Sequence, residues 1–383
     1  MILLSAPNIS GNEWKYVKDC LDTGWVSSVG AYITEFENKV AEFAGAKYGI
    51  ATMNGTSALH IAMQLIGVKK GDYVIVPNIT FIASINAIKY IGADPILMDV
   101  QDGNWQMDIG LLESFLQNDT YSKNGQCYLK KNDRKISAIM PVHVLGNICD
   151  MDRLMLLANQ YNIPVVEDST EALGSYFKKK HAGTFGKMGC FSFNGNKIIS
   201  TGGGGVIVTD DEELAKKAKH ITTQAKADPF EYYHDEIGYN YRLVNMLAAM
   251  GLAQMEQLPG FIEKKKAIND YYRKEMGDLG DISFQSVNKE VNPNCWLFTF
   301  QTSLQKQLLK TLNERKIQSR PFWIPMNQLP MFESDLYITE IDRSNSIYRT
   351  CLSIPCSTFL TEKDLSTVVE TIKSCFAREQ TNK

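Results

Sequence analysis

The chain has 383 residues, 44% of them hydrophobic and 22% charged, with a formal net charge of −3. That balance suits a globular protein with a sizeable core, and the slight acidity excludes the strongly basic face that nucleic acid or an anionic membrane would select. No apolar run approaches the roughly 20 residues that span a bilayer.

The start, Met1-Ile2-Leu3-Leu4-Ser5-Ala6-Pro7, lacks the charged segment and long apolar core of a secretory leader, so a cytoplasmic location is expected. Helical periodicity begins at residues 35–43, closed by Gly45, and returns at 58–66, closed by Gly67. Short β-branched runs follow at 73–76, 96–99, 136–142, 165–168, 191–193 and 205–209. This alternation predicts an α/β domain with an open, doubly wound sheet.

Residues 212–220, 247–257 and 261–272 read as helices, the last two separated or kinked at Pro259-Gly260. From about 276 a smaller α+β unit is expected, with strands at 296–302 and near 351–354 and helices at 305–315 and 362–377. The predicted division is 1–250 for a large domain and 251–383 for a connecting helix and small C-terminal domain. The eight cysteines are dispersed without a CxxC pair, which suggests neither a zinc site nor a disulfide scaffold.

Three segments carry candidate chemistry. Val165-Val166-Glu167-Asp168 is a buried-type strand ending in an acidic pair, and ligands of open α/β sheets sit beyond such carboxyl ends. Asp168-Ser169-Thr170-Glu171 also resembles a capping box. Downstream, a strand at Phe191-Ser192-Phe193 runs into a polar turn that presents Lys197, which is able to form a Schiff base if its surroundings lower its pKa. Gly202–Gly205 follows, and a tight strand entry is its expected use. In Asn54-Gly55-Thr56-Ser57-Ala58-Leu59-His60 a small polar turn opens an amphipathic helix, and its N–H groups with the Thr56 and Ser57 hydroxyls suit an anion; a Thr or Ser N-cap explains it equally well.

Together these stretches, with Pro77-Asn78-Ile79-Thr80-Phe81-Ile82-Ala83-Ser84, Pro141-Val142-His143, Glu167 to Gly174, and Gly238-Tyr239-Asn240-Tyr241-Arg242-Leu243, resemble the DegT/DnrJ/StrS family of sugar aminotransferases over nearly the whole chain. The resemblance implies an aspartate-aminotransferase-like (fold type I) large domain with a mostly parallel sheet, plus the smaller α+β domain. It implies pyridoxal 5'-phosphate as cofactor, with pyridoxamine 5'-phosphate as intermediate. Lys197 matches the Schiff-base lysine that also shuttles a proton, and the family's dehydratase relatives carry histidine there. Asp168 matches the carboxylate that pairs with the pyridine nitrogen, and Phe81 the aromatic residue on the ring face. Gly55, Thr56, Ser57 and Ser192 fall where the phosphate is held. Asn240 matches a residue reaching that phosphate from a second subunit, which implies a homodimer with a shared site.

Glu171 departs from the commonest pattern, glutamine, and beside a phenolic oxygen it is expected to be protonated or to share a proton, with a raised pKa; the alternative is a solvent-facing helical glutamate. His143 is a candidate substrate contact or a structural histidine. Arg320 and Trp323 match a late segment lining the sugar-nucleotide pocket, and Trp25 with Ser27 a loop over the site. The implied reaction is a ping-pong transfer from L-glutamate to C4 of a UDP- or GDP-linked 4-keto-6-deoxy-sugar, among them N-acetylglucosamine-derived substrates of legionaminic-type pathways. The alternatives are a sugar dehydratase or lyase on this scaffold, a C3 aminotransferase, and a non-catalytic regulator.

Overall fold

The computed structural model describes residues 1–228 and 230–381, with side chains described as far as Arg378. Seven strands form the central sheet, in the order Tyr48–Thr52, Gly205–Thr209, Met188–Ser192, Val166–Asp168, Lys135–Ile139, Tyr73–Pro77 and Asp94–Met98. The parallel bridges Ile139–Val165 and Val142–Asp168 join its two halves. Gly205–Thr209 runs antiparallel to both neighbours and the remaining pairs are parallel.

Alternation along Tyr73–Pro77 divides two cores. Val74 and Val76 face the helices Gly55–Leu65 and Ala83–Tyr90, whereas Tyr73 and Ile75 face Ile109–Asp119 and Met151–Gln160. All five positions of Tyr73–Pro77 are buried, as a parallel sheet covered on both faces requires. The helices at 109–119 and 151–160 were not expected from the sequence; Asp108 and Asp150 cap them by accepting backbone N–H bonds.

The expected break at Pro259-Gly260 does not separate two helices, because Asn245–Met276 is one helix with Pro259 inside it. Met255, Leu258 and Phe261 are buried in one core and Ile268, Tyr272 and Met276 in the next, so packing on both sides of the proline outweighs its lost hydrogen bond. The smaller unit has an antiparallel sheet ordered Ser283–Phe284, Phe298–Gln301, Cys351–Ile354, Arg320–Pro321. Helices Gln305–Glu314 and Glu362–Thr381 cover it.

Two segments pack on the opposite unit from the one their sequence position suggests. Ile2 pairs with Ile317 beside the small sheet, and Cys356 N–H donates to the Leu4 carbonyl at 2.8 Å. Leu336–Ile338 instead adds a parallel strand to Asp94–Met98 at the edge of the large sheet. No helix among the described residues is long and apolar enough to cross a membrane. All eight cysteines are unpaired.

Candidate active site

The carboxyl end of Val166–Asp168 opens onto turns, and no helix follows, so Asp168 does not serve as a helix cap. Its buried carboxylate accepts the Ser84 hydroxyl at 2.6 Å and the Thr170 N–H at 3.2 Å. Among the described residues it makes no ion pair. A buried carboxylate in that state is costly and suits a cationic N–H partner.

Lys197 sits in the turn beyond Met188–Ser192, its N–H donating to the Asn194 carbonyl at 3.0 Å. The next residues, Ile198 and Ile199, bury themselves in the core beside Phe193 and fix the turn. Lys197 Nζ lies 3.8 Å from Glu171 Oε1 and 4.1 Å from the centroid of the Trp296 ring, and its side chain is 12% exposed. Burial pulls the amine below its usual pKa, against the opposing pull of the Glu171 and Asp168 carboxylates.

Glu171 Oε2 accepts the Leu145 N–H at 2.8 Å. Leu145 has a left-handed backbone (φ +60), a strained choice for a leucine, and it lies inside the Val144–Gly146 turn that His143 opens. Burial raises the Glu171 pKa to about 7, opposed by the Lys197 ammonium and the Leu145 N–H and reinforced by Asp168. The direction is the expected one, but its cause here is burial and not a neighbouring phenolic oxygen.

The turn at residues 54–57 is capped by Asn54 rather than by Thr56 or Ser57: its side chain accepts the Ser57 N–H at 2.8 Å. Gly55 and Thr56 therefore open the helix Gly55–Leu65 with N–H groups that have no partner inside it. A Cβ on Gly55 would stand 2.9 Å from Ser192 Cβ and 3.2 Å from its hydroxyl oxygen. Only glycine lets Ser192 approach that helix end so closely. Together with the lone Asp168 carboxylate and the buried Lys197, this cradle fits a phosphate-bearing, nitrogen-containing ring.

A cavity of about 400 Å³ unites the parts. Of the sequence candidates, Gly55, Thr56, Phe81, Glu171, Ser192, Lys197, Arg320 and Trp323 line it. Phe81 is 55% exposed, which is unusual for a phenylalanine that is merely filling a core. Ser57 and Asp168 are buried and outside the lining. His143 is fully buried and bonds through Nε2 to Glu167 Oε2 at 2.9 Å; the Glu167 carboxylate in turn accepts the N–H groups of Gly183, Phe185 and Gly186. His143 is not among the residues that line the cavity, and its Nδ1 is buried without a hydrogen-bond partner among the described residues.

Trp25, Ser27 and Asn240 are exposed and outside the cavity of their own chain. The Trp25 and Ser27 carbonyls accept bonds from Asn245, which pins their loop to the start of the long helix. Asn240 lies between Tyr239 and Tyr241, stacked rings that enclose His60, and Arg242 pairs with the buried Glu37. Sequence reasoning missed Trp296, Leu145 and Ser84. Trp296 reads as a core residue of an apolar run, and nothing local marks it as a neighbour of Lys197.

A family model described as the DegT/DnrJ/EryC1/StrS aminotransferase family matches residues 7–373. GDP-perosamine synthase of Escherichia coli O157:H7 is 42% identical over 329 residues, covering 85% of each chain. GDP-perosamine synthase of Caulobacter vibrioides is 35% identical over 374 residues, covering 96% of each. In fold, the chain is similar to Spr1654 of Streptococcus pneumoniae, solved in PLP and PMP forms; the PMP form superposes with a TM-score of 0.88 at 24% identity, covering 99% of this chain and 100% of that one.

Proposed function

Because this chain belongs to the DegT/DnrJ/EryC1/StrS aminotransferase family, we propose that it transfers an amino group from L-glutamate to C4 of a GDP-linked 4-keto-6-deoxy-sugar, with pyridoxal phosphate as cofactor. The observation that carries the reading is the pairing of a buried Lys197 with Glu171 in a cavity also lined by Gly55 and Ser192, with the Asp168 carboxylate close enough to act on both charges. The two relatives named GDP-perosamine synthase support GDP over UDP as the carrier.

Pyridoxal phosphate, when bound, supplies an electron sink that eases proton loss from the carbon bearing the amine. Gly55, Thr56 and Ser192 would hold its phosphate, Phe81 one ring face, and Asp168 the ring nitrogen. Ser84 and the Thr170 N–H, both donating to the Asp168 carboxylate, orient it. Lys197 Nζ takes and returns the proton that moves during transfer, and burial poises it for that by favouring the neutral amine. Glu171 is the adjacent group able to hold a proton near neutrality, fixed in place by Leu145. Arg320 and Trp323, on the cavity wall, suit the nucleotide's phosphates and the sugar.

Trp25, Ser27 and Asn240 stand outside their own cavity, so their proposed contacts require a second copy, and a homodimer with shared sites is part of this reading. Two half-reactions through one site predict ping-pong kinetics. The deciding experiment incubates the purified protein, pyridoxal phosphate and L-glutamate with GDP-, UDP- and dTDP-linked 3-keto and 4-keto sugars, with products solved by NMR. Amino-sugar formed at C4 of the GDP-linked compound supports the proposal; no amino-sugar from any of them overturns it.

A further inference from the structure

We infer that Trp296 is a positioning residue for Lys197: its indole face seats the lysine's terminal nitrogen opposite Glu171 and sets where that nitrogen rests within the cavity. The inference deepens the functional reading above and rests on Lys197 being the reactive amine. Glu171 Oε1, at 3.8 Å from Nζ, is too distant for a direct hydrogen bond. The ring centroid, at 4.1 Å, is well inside the range of a cation held over an aromatic face. The carboxylate therefore attracts the amine without gripping it, and the ring supplies the seat.

The ring itself is fixed at every polar atom Trp296 possesses. Its N–H donates to Asn294 Oδ1 at 3.0 Å, and its indole N–H donates to the Asn196 carbonyl at 2.7 Å. Its carbonyl accepts Lys265 Nζ at 2.8 Å. Asn196 immediately precedes Lys197, so the ring is tied to the turn that carries the amine. Lys265 is 2% exposed and makes no ion pair among the described residues; beyond the Trp296 carbonyl its recorded partner is Cys356 Sγ at 3.5 Å. A lysine so deeply buried without a carboxylate is unusual, and here it anchors the wall of the cavity.

An aromatic face favours the charged amine over the neutral one, against the effect of burial. Removing the face must lower the pH at which Lys197 gives up its proton. A residue that only filled space would leave that pH unchanged when replaced by one of equal size.

The test uses the full chain without cofactor, pulsed with acetic anhydride across a pH series, with acetylation of Lys197 followed by mass spectrometry. The apparent pKa of Lys197 should fall by roughly one unit in Trp296→Leu and by less in Trp296→Phe. Because a leucine leaves a cavity, a second measurement replaces every tryptophan by 5-fluorotryptophan, which weakens the face and preserves the shape. That chain should also show a lowered pKa, and fluorination in the Trp296→Phe background should not. An unchanged pKa in fluorinated and Trp296→Leu chains would overturn the inference. Cofactor binding, followed separately by absorbance, tests the functional reading: a parent chain that binds no pyridoxal phosphate refutes that reading and leaves the acetylation result standing.

Discussion

Glu171 and Lys197 face each other across 3.8 Å within the cavity, and burial opposes the charge of each. The fold raises the Glu171 pKa from 4.5 to about 7, so the native state holds a proton there that the unfolded chain has released. Its contribution to stability is therefore full below about pH 4.5 and is lost as the pH rises to about 7. Glu171→Gln has no such titration. Urea unfolding should show the variant gaining stability relative to the parent between about pH 4.5 and about pH 7. A difference that stays constant over that range would contradict the assignment.

Replacing Lys197 by alanine removes the group proposed to move the proton. Turnover should fall by at least roughly 10²-fold, and the visible absorbance of the lysine-linked cofactor should disappear. The fold should persist, because Ile198 and Ile199 hold the turn independently of the lysine. Circular dichroism and a single-turnover assay check both halves, and full activity in Lys197→Ala would end the mechanism.

Ser84 donates to Asp168 across 2.6 Å in a buried setting. Ser84→Ala leaves that carboxylate one donor short, at a cost of about 2 kcal/mol for a hydrogen bond to a charged acceptor. Titration with pyridoxal phosphate should show affinity reduced by about tenfold, with little change at positions remote from Asp168.

Two glycines near Lys197 should behave oppositely. A Cβ at Gly55 meets Ser192 at 2.9 Å and Thr170 at 3.2 Å, whereas one at Gly195 meets nothing within 4 Å. Gly55→Ala should weaken cofactor binding by roughly tenfold or more, through displacement of Ser192 from the helix N-terminus. Gly195→Ala should bind within about twofold of the parent. Equal affinities in the two variants would refute the cradle.

Arg320 lines the cavity and is exposed, its guanidinium donating to the Ser319 carbonyl at 3.4 Å. Arg320→Gln should raise KM for the nucleotide-sugar by about tenfold while leaving kcat and the KM for glutamate near their parent values. An equal rise for both substrates would place the arginine elsewhere in the cycle.

Much of this architecture was legible because burial leaves a periodic imprint. The apolar runs at 73–76 and 205–209 became strands, and the helices closed by Gly45 and Gly67 ended near those residues. Pro259 misled because its local effect is visible in sequence while the packing that overrides it is not. Asp168 and Lys197 stand out in the sequence at and beyond the ends of strands, but their expected roles come from the family resemblance and not from position alone. Trp296 was not legible: it contacts the carbonyl of Asn196 from 100 residues away, and only the folded chain brings them together. Ser57 and His143, residue types suited to ligands, are buried outside the cavity lining, a placement that residue type alone does not reveal.

The crossing of Leu336–Ile338 to the large sheet, and of residues 2–4 to the small one, has a consequence for how the molecule comes apart. Each unit borrows an edge from the other, so neither can lose its structure while its neighbour stays intact. Heating should therefore melt both in a single cooperative transition, and any movement about the cavity must flex these shared edges without breaking them.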